Sequence, residues 1–216
     1  MKKILVYFNV VLLILLSFSS LVLSEDLSSY VPLKKAKILD RTLIPTGHGL
    51  TKFLNKEYYL ARFSIDETVF YGSIDDLIYI DAARRMEFKF VSDKVSGRTF
   101  WRRLSQGMKI NNERKALKDN LVFVKRLQSF FKRKIKKGDV IRFDYHQDFG
   151  TRVYHNKRLL GEINDLGEVS DSREFYRFIV NVWFGNRPPS NRFKNGLLGR
   201  NGDEYAINLQ RRFNAE

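Results

Sequence analysis

The order of segments along the chain predicts an α+β fold, and three observations carry the prediction. Extended stretches rich in Tyr and Phe come first, long helical patterns follow, and strands and then helices come again in blocks, not in strict βαβ alternation. Hydrophobic residues make up 44% and aromatics 14% of 216 residues, enough apolar mass for the core of one domain. Turn and stop signals, such as Gly138, Asn156-Lys157 and Pro188-Pro189, fall between the blocks.

The elements can be justified in order. Lys2 and Lys3 precede an apolar run from Ile4 to Leu23, and Val22 and Ser24 suit a signal-peptidase site before Glu25. Residues 1–24 therefore read as a secretory signal peptide, which implies a periplasmic or secreted protein. The alternative is an inner-membrane anchor over residues 4–23, since the run approaches membrane-spanning length. Residues 25–200 are the expected domain. From Lys37 to Ile65 the pattern predicts two extended stretches broken at Pro45-Thr46-Gly47-His48-Gly49. A short irregular or helical piece is expected around Ile74–Ile80. Met86, Phe88 and Phe90 alternate with Glu87 and Lys89, as in a strand with one buried face. Ser96 is placed to cap a helix carrying Phe100, Leu104 and Met108. A second helix is predicted from Leu117 to Ile135, with Leu121, Val124, Leu127, Phe131 and Ile135 on one stripe and Gly138 as its stop. Val140–Tyr145, Thr151–His155 and Arg158–Ile163 read as strands, the last two a hairpin around Asn156-Lys157. A helix over Ser172–Gly185 carries Phe175, Phe178, Ile179, Val182 and Trp183, and a short last helix ends at Gly199. Residues 201–216 read as a polar, loose tail.

The formal net charge is +15, which draws a chain towards polyanions of any kind. An exported chain does not meet nucleic acid, so none is expected as a partner in vivo. The densest cluster is Lys132, Arg133, Lys134, Lys136 and Lys137. It reads either as a helix C-terminus whose cations oppose the dipole or as a contact to an anionic membrane surface. There is no cysteine, and His48, His146 and His155 have no metal-ligand spacing, so neither a metal nor a cofactor is expected. Asp148-Phe149-Gly150 lacks the context of a kinase metal site, Gly47-His48-Gly49 is too short for a dinucleotide fingerprint, and no G-x-S-x-G occurs. Asp75-Asp76, and Glu113 with Asp119, read as solvated acids rather than catalytic pairs.

Four stretches together resemble the bacterial chalcone-isomerase-like domain. They are Gly47-His48-Gly49-Leu50-Thr51-Lys52-Phe53 with Lys56 and Tyr58; Val95-Ser96 with Phe100, Leu104, Gly107-Met108 and Asn111; Lys137-Gly138-Asp139-Val140; and Val182-Trp183-Phe184-Gly185-Asn186-Arg187-Pro188 followed by Phe193-Lys194-Asn195-Gly196-Leu197-Leu198-Gly199. The last is the most specific, and the set spans roughly residues 36–199. The resemblance implies an open-faced β-sandwich: a large antiparallel sheet, a helical layer on one face and a cleft between them. Plant members of the family close a flavanone ring in that cleft, and related members bind fatty acids there.

Ring closure needs a cation near the developing phenolate and hydroxyls that polarise the ketone. At the positions of the family's isomerase groups this chain has Thr51, Tyr58, Val95, Arg98, Arg102 and Val182, so the resemblance implies no catalytic residue. Arg98 and Arg102, four apart on one helix, with Lys52 opposite and Tyr58 nearby, are the candidate ligand-binding residues: a replacement anion clamp for a fatty acid or similar amphipathic anion. Two other readings are a divergent isomerase or intramolecular lyase, and a structural or envelope-interaction protein with a filled cleft.

Overall fold

A computed structural model describes residues 33–70, 72–93, 95–164 and 172–215. The amino-terminal segment read as a signal peptide or anchor lies outside these residues. Strand β1 (Ala36–Ile38) turns into β2 (Arg41–Phe53), which pairs with β3 (Lys56–Asp66). The break expected at Pro45–Gly49 is not there. β2 runs through it with a bulge between Pro45 and Gly47, where one irregular step accommodates the residue that lacks an N–H. The chain reverses instead at Leu54-Asn55, both with positive φ (48° and 60°), the geometry of a tight hairpin turn.

Helix α1 (Ile74–Tyr79) begins at Ser73, whose hydroxyl accepts from the Asp76 N–H while the Asp76 carboxylate accepts from the Ser73 N–H. Then come β4 (Arg84–Phe90), the short β5 (Val95–Ser96) and α2 (Gly97–Asn111), which Ser96 caps through the Thr99 N–H as expected. The helix expected over Leu117–Ile135 is two: α3 (Arg114–Asp119) and α4 (Leu121–Phe130). Asn120 separates them, its side-chain amide donating back to the Ala116 carbonyl at 3.0 Å, a local bond that competes with helix continuation. Beyond Phe131 the chain forms β6 (Lys134–Ile135), which pairs with β5. The Lys132–Lys137 cluster is therefore not a helix end. It lies in a turn and on β6, with all five cations exposed.

Strands β7 (Val140–His146), β8 (Gly150–His155) and β9 (Arg158–Ile163) complete a seven-stranded antiparallel sheet in the order β1-β2-β3-β4-β7-β8-β9. Helices α5 (Ser172–Phe184), α6 (Asn191–Leu197) and α7 (Asp203–Asn214) follow. The architecture is the predicted α+β one, a large antiparallel sheet with helices packed on it. On one face Phe63, Met86, Phe88 and Phe143 meet Phe100 and Leu104 of α2 and Ile179 and Trp183 of α5. Each Phe that is fully buried there contributes about 1.5–3 kcal/mol.

The carboxy-terminal residues are not a loose tail. α7 lays Leu209 and Phe213 on the opposite face of the sheet, over Leu60. Charge pairs bury themselves on the sheet as well: Arg62 with Glu87 at 2.7 Å and Arg85 with Asp144 at 2.6 Å.

Candidate functional site: a cleft between strand and helix

The Gly-x-Gly stretch has a packing role. A Cβ at Gly47 would lie 2.1 Å from the Gly196 carbonyl, and one at Gly49 would meet Phe193 at 2.8 Å, so β2 and α6 touch backbone to backbone. The Thr46 hydroxyl donates to the Leu197 carbonyl at 2.7 Å and locks that contact. This docking sets where the loop from Arg187 to Pro189 runs, and that loop forms one wall of a cleft. Gly107 sets another wall, because a Cβ there would strike Val182 at 2.5 Å, so only glycine lets α2 and α5 approach so closely.

The cleft lies where the β2–β3 hairpin meets α2 and α5, with a volume of about 180 Å³. Phe100, Leu104 and Trp183 line it with apolar surface, and Thr51, Tyr58, Arg103, Gln106 and Arg187 supply polar groups. Trp183 Nε1 donates to Tyr59 Oη at 3.2 Å. Tyr59 is buried, and burial raises its pKa, with the Trp183 N–H offsetting part of the effect. The Arg103 guanidinium lies 4.6 Å over the Tyr58 ring and 4.0 Å over the Phe53 ring. Burial pushes the Tyr58 phenol up to about 12, against the pull of Arg103, so it stays protonated and able to donate at neutral pH. Tyr58 Oη and Arg103 Nε are both buried, and neither has a hydrogen-bond partner among the described residues.

The positions named from the sequence divide. Tyr58, Thr51 and Val182 line the cleft. Lys52, Arg98 and Arg102 are exposed and do not line it, and Arg102 reaches it only as a minor positive charge felt by Tyr58. Val95 is buried in the core beneath, on β5. The half-buried cation of the cleft is Arg103, with Arg187 lining it from the exposed loop; Arg103 is one position from Arg102, which on a helix is a rotation of about 100°. A signal for it was present: Arg103 sits three residues after Phe100 and four before Gly107, on the stripe that faces the sheet and α5.

A family profile described as chalcone isomerase-like matches residues 36–199, most of the chain. No curated protein matches the sequence. Among solved structures, the crystal structure of an Arabidopsis thaliana fatty-acid binding protein superposes with a TM-score of 0.56 at 15% identity, covering 82% of this chain and 98% of that one. At that identity the likeness speaks to the fold. The profile spans every strand of the sheet and the helices that wall the cleft, and the chain belongs to the chalcone isomerase-like family.

Proposed function

We propose that this protein binds a fatty acid or a similar amphipathic carboxylate in the cleft and performs no isomerase chemistry. One observation carries the reading: the Tyr58 hydroxyl and Arg103 Nε are buried donors without hydrogen-bond partners among the described residues, and both residues line a largely apolar cleft. A buried donor left unsatisfied costs about 1–3 kcal/mol, and a carboxylate would satisfy both groups with charge-assisted bonds. A carboxylate entering an apolar site needs such a cation, because burying it alone is prohibitive. The fatty-acid binding of the Arabidopsis thaliana protein with the same fold supports the ligand class. At about 180 Å³ the cleft is smaller than the roughly 300–1,000 Å³ of sites that enclose drug-sized ligands. It holds a head group and the first methylenes.

Displacement of a fluorescent fatty acid tests this. Arg103→Gln and Tyr58→Phe are each expected to weaken affinity about tenfold or more, from roughly 1.5–3 kcal/mol per charge-assisted bond. Arg98→Gln and Arg102→Gln together should change it less than threefold, since neither lines the cleft. Equal affinity in wild type and Arg103→Gln would place the head group elsewhere, and no binding by wild type would leave a filled, structural cleft as the better account.

A further inference from the structure

Residues 96–137 hold fourteen Lys and Arg against two acids, Glu113 and Asp119, a net +12 of the chain's +15. This one segment builds α2, α3 and α4. Between these helices lies a second concavity, of about 460 Å³, separate from the cleft. Met108, Leu117, Leu121 and Val124 make it apolar, and Lys109, Arg114 and Lys118 stand around it. No ion pair neutralises these three cations among the described residues. Leu121 and Val122 are 45% and 61% exposed beside the groove. Apolar side chains left in water within a ring of unpaired cations match the two layers of an anionic lipid surface, phosphate outside and hydrocarbon beneath.

We propose that the face built by α2, α3 and α4 docks on an anionic lipid bilayer, with an acyl chain in the groove and lipid phosphates on Lys109, Arg114 and Lys118. Charge complementarity selects this occupant, because a second copy of a chain with the same basic face would be repelled. The cluster Lys132–Lys137 adds long-range attraction, while the groove provides the seat. α2 has two working sides: Ser105, Met108 and Lys109 face the groove, and Arg103 and Gly107 face the cleft. Docking therefore sets the cleft one helix away from the lipid. The proposal does not depend on any ligand in the cleft.

The full chain has no cysteine, so a single one can be labelled with an environment-sensitive fluorophore. The label goes at Val122→Cys, or, as control, at Leu39→Cys in the β1–β2 turn. That turn lies at the sheet edge opposite β9, against which α4 packs through Phe130 and Gly161. The probes are phosphatidylglycerol-containing and pure phosphatidylcholine vesicles. The Val122 label should shift to the blue with anionic vesicles only, and the Leu39 label with neither. Lys109→Glu with Lys118→Glu should weaken the response about 25-fold or more, as each surface cation is worth about fivefold. Raised salt should weaken it too. Vesicle binding through the amino-terminal segment that leaves the Val122 label unshifted would overturn the proposal. So would equal shifts on both vesicle types, a concentration-dependent shift without vesicles (a second copy in the groove), or a response lost only on reversing Lys132–Lys137.

Discussion

Two arginines show how position decides what a residue can do. Arg84 is fully buried, donates to the Leu77 and Ile78 carbonyls at 2.8 and 3.0 Å, and lies about 5 Å from the centres of both the Tyr145 and the Tyr176 rings. Burial lowers its pKa, and the two tyrosines partly restore it. It ties the end of α1 to β4 through Nη1, while its Nε and Nη2 are buried without a hydrogen-bond partner among the described residues. Arg103 lies over the Phe53 and Tyr58 rings, and its Nε has no hydrogen-bond partner among the described residues at the cleft it lines. The same reasoning bears on catalysis. Val182 and Thr51 stand in the cleft at positions of the family's isomerase groups, where neither supplies a cation, and neither Val182 nor Val95 offers a hydroxyl. Loss of one donor to a developing oxyanion costs about a hundredfold or more, and here several are missing together. Purified protein is therefore expected to leave chalcone cyclisation at its background rate at neutral pH. An acceleration proportional to protein concentration, followed by chalcone absorbance, would show that Tyr58 and Arg103 suffice for the chemistry.

At the scale of elements, α7 changes the description of the molecule most. Tyr205, Leu209 and Phe213 recur every four residues, Asp203 and Glu204 open the helix, and Arg211 and Arg212 close it in accord with its dipole. Phe213 takes the Arg62 guanidinium 4.4 Å over its ring, and Arg62 also reaches the Asn214 side chain at 3.3 Å. Arg212 is paired with Glu57 on β3. The helix thus closes the β2–β3 face opposite the cleft and steadies the strand that carries Tyr58. Phe213→Ala is expected to reduce unfolding free energy by about 3 kcal/mol, the usual cost of truncating a buried Phe, with the denaturant slope unchanged. Urea titration measures it; a loss below about 0.5 kcal/mol would mean that α7 is peripheral to the fold.

Across the whole molecule, the sheet buries the pairs Arg62–Glu87 and Arg85–Asp144, while in the segment 96–137 every cation but Arg103 is exposed. One consequence is a dependence of global stability on pH through His48. Burial, and then the nearby Arg62, lower its pKa from 6.5 to about 4. The folded state therefore holds His48 neutral where the unfolded chain takes up a proton. Its contribution is fully present above about pH 6.5 and is lost as pH falls through that window to about 4, in all about 3 kcal/mol. His48 Nε2 is buried without a hydrogen-bond partner among the described residues, and the ring lies 5.5 Å from that of Phe213, so phenylalanine is a compatible replacement. His48→Phe should match or exceed wild-type stability at pH 7 and fall off less between pH 6.5 and 4. Chemical denaturation at a series of pH values checks this, and parallel curves for the two proteins would refute it.

Local features of the sequence determined the type of most elements. Alternation marked β4, period-four apolar stripes marked α2 and α5, serine capped α2, and Gly199, with φ of 66°, ended the run after α6. Such patterns are legible because a half-buried strand and a one-sided helix each impose their own period on burial. The ordered Gly, Trp and Leu-Leu stretches also carried the family. Long-range contacts decided the rest. The second half of the helix expected over Leu117–Ile135 stops at Phe130 because Ile135 is drawn to Val95 on β5, although the apolar stripe continues past that end. β2 continues through Pro45 because its pairing with β3 outweighs one missing donor. Tyr205, Leu209 and Phe213 mean little until Leu60 presents a surface to cover. The choice of Arg103 over Arg98 and Arg102 is an angular one, made where Gly107 lets α2 press against Val182 and so fixes which side of the helix looks into the cleft.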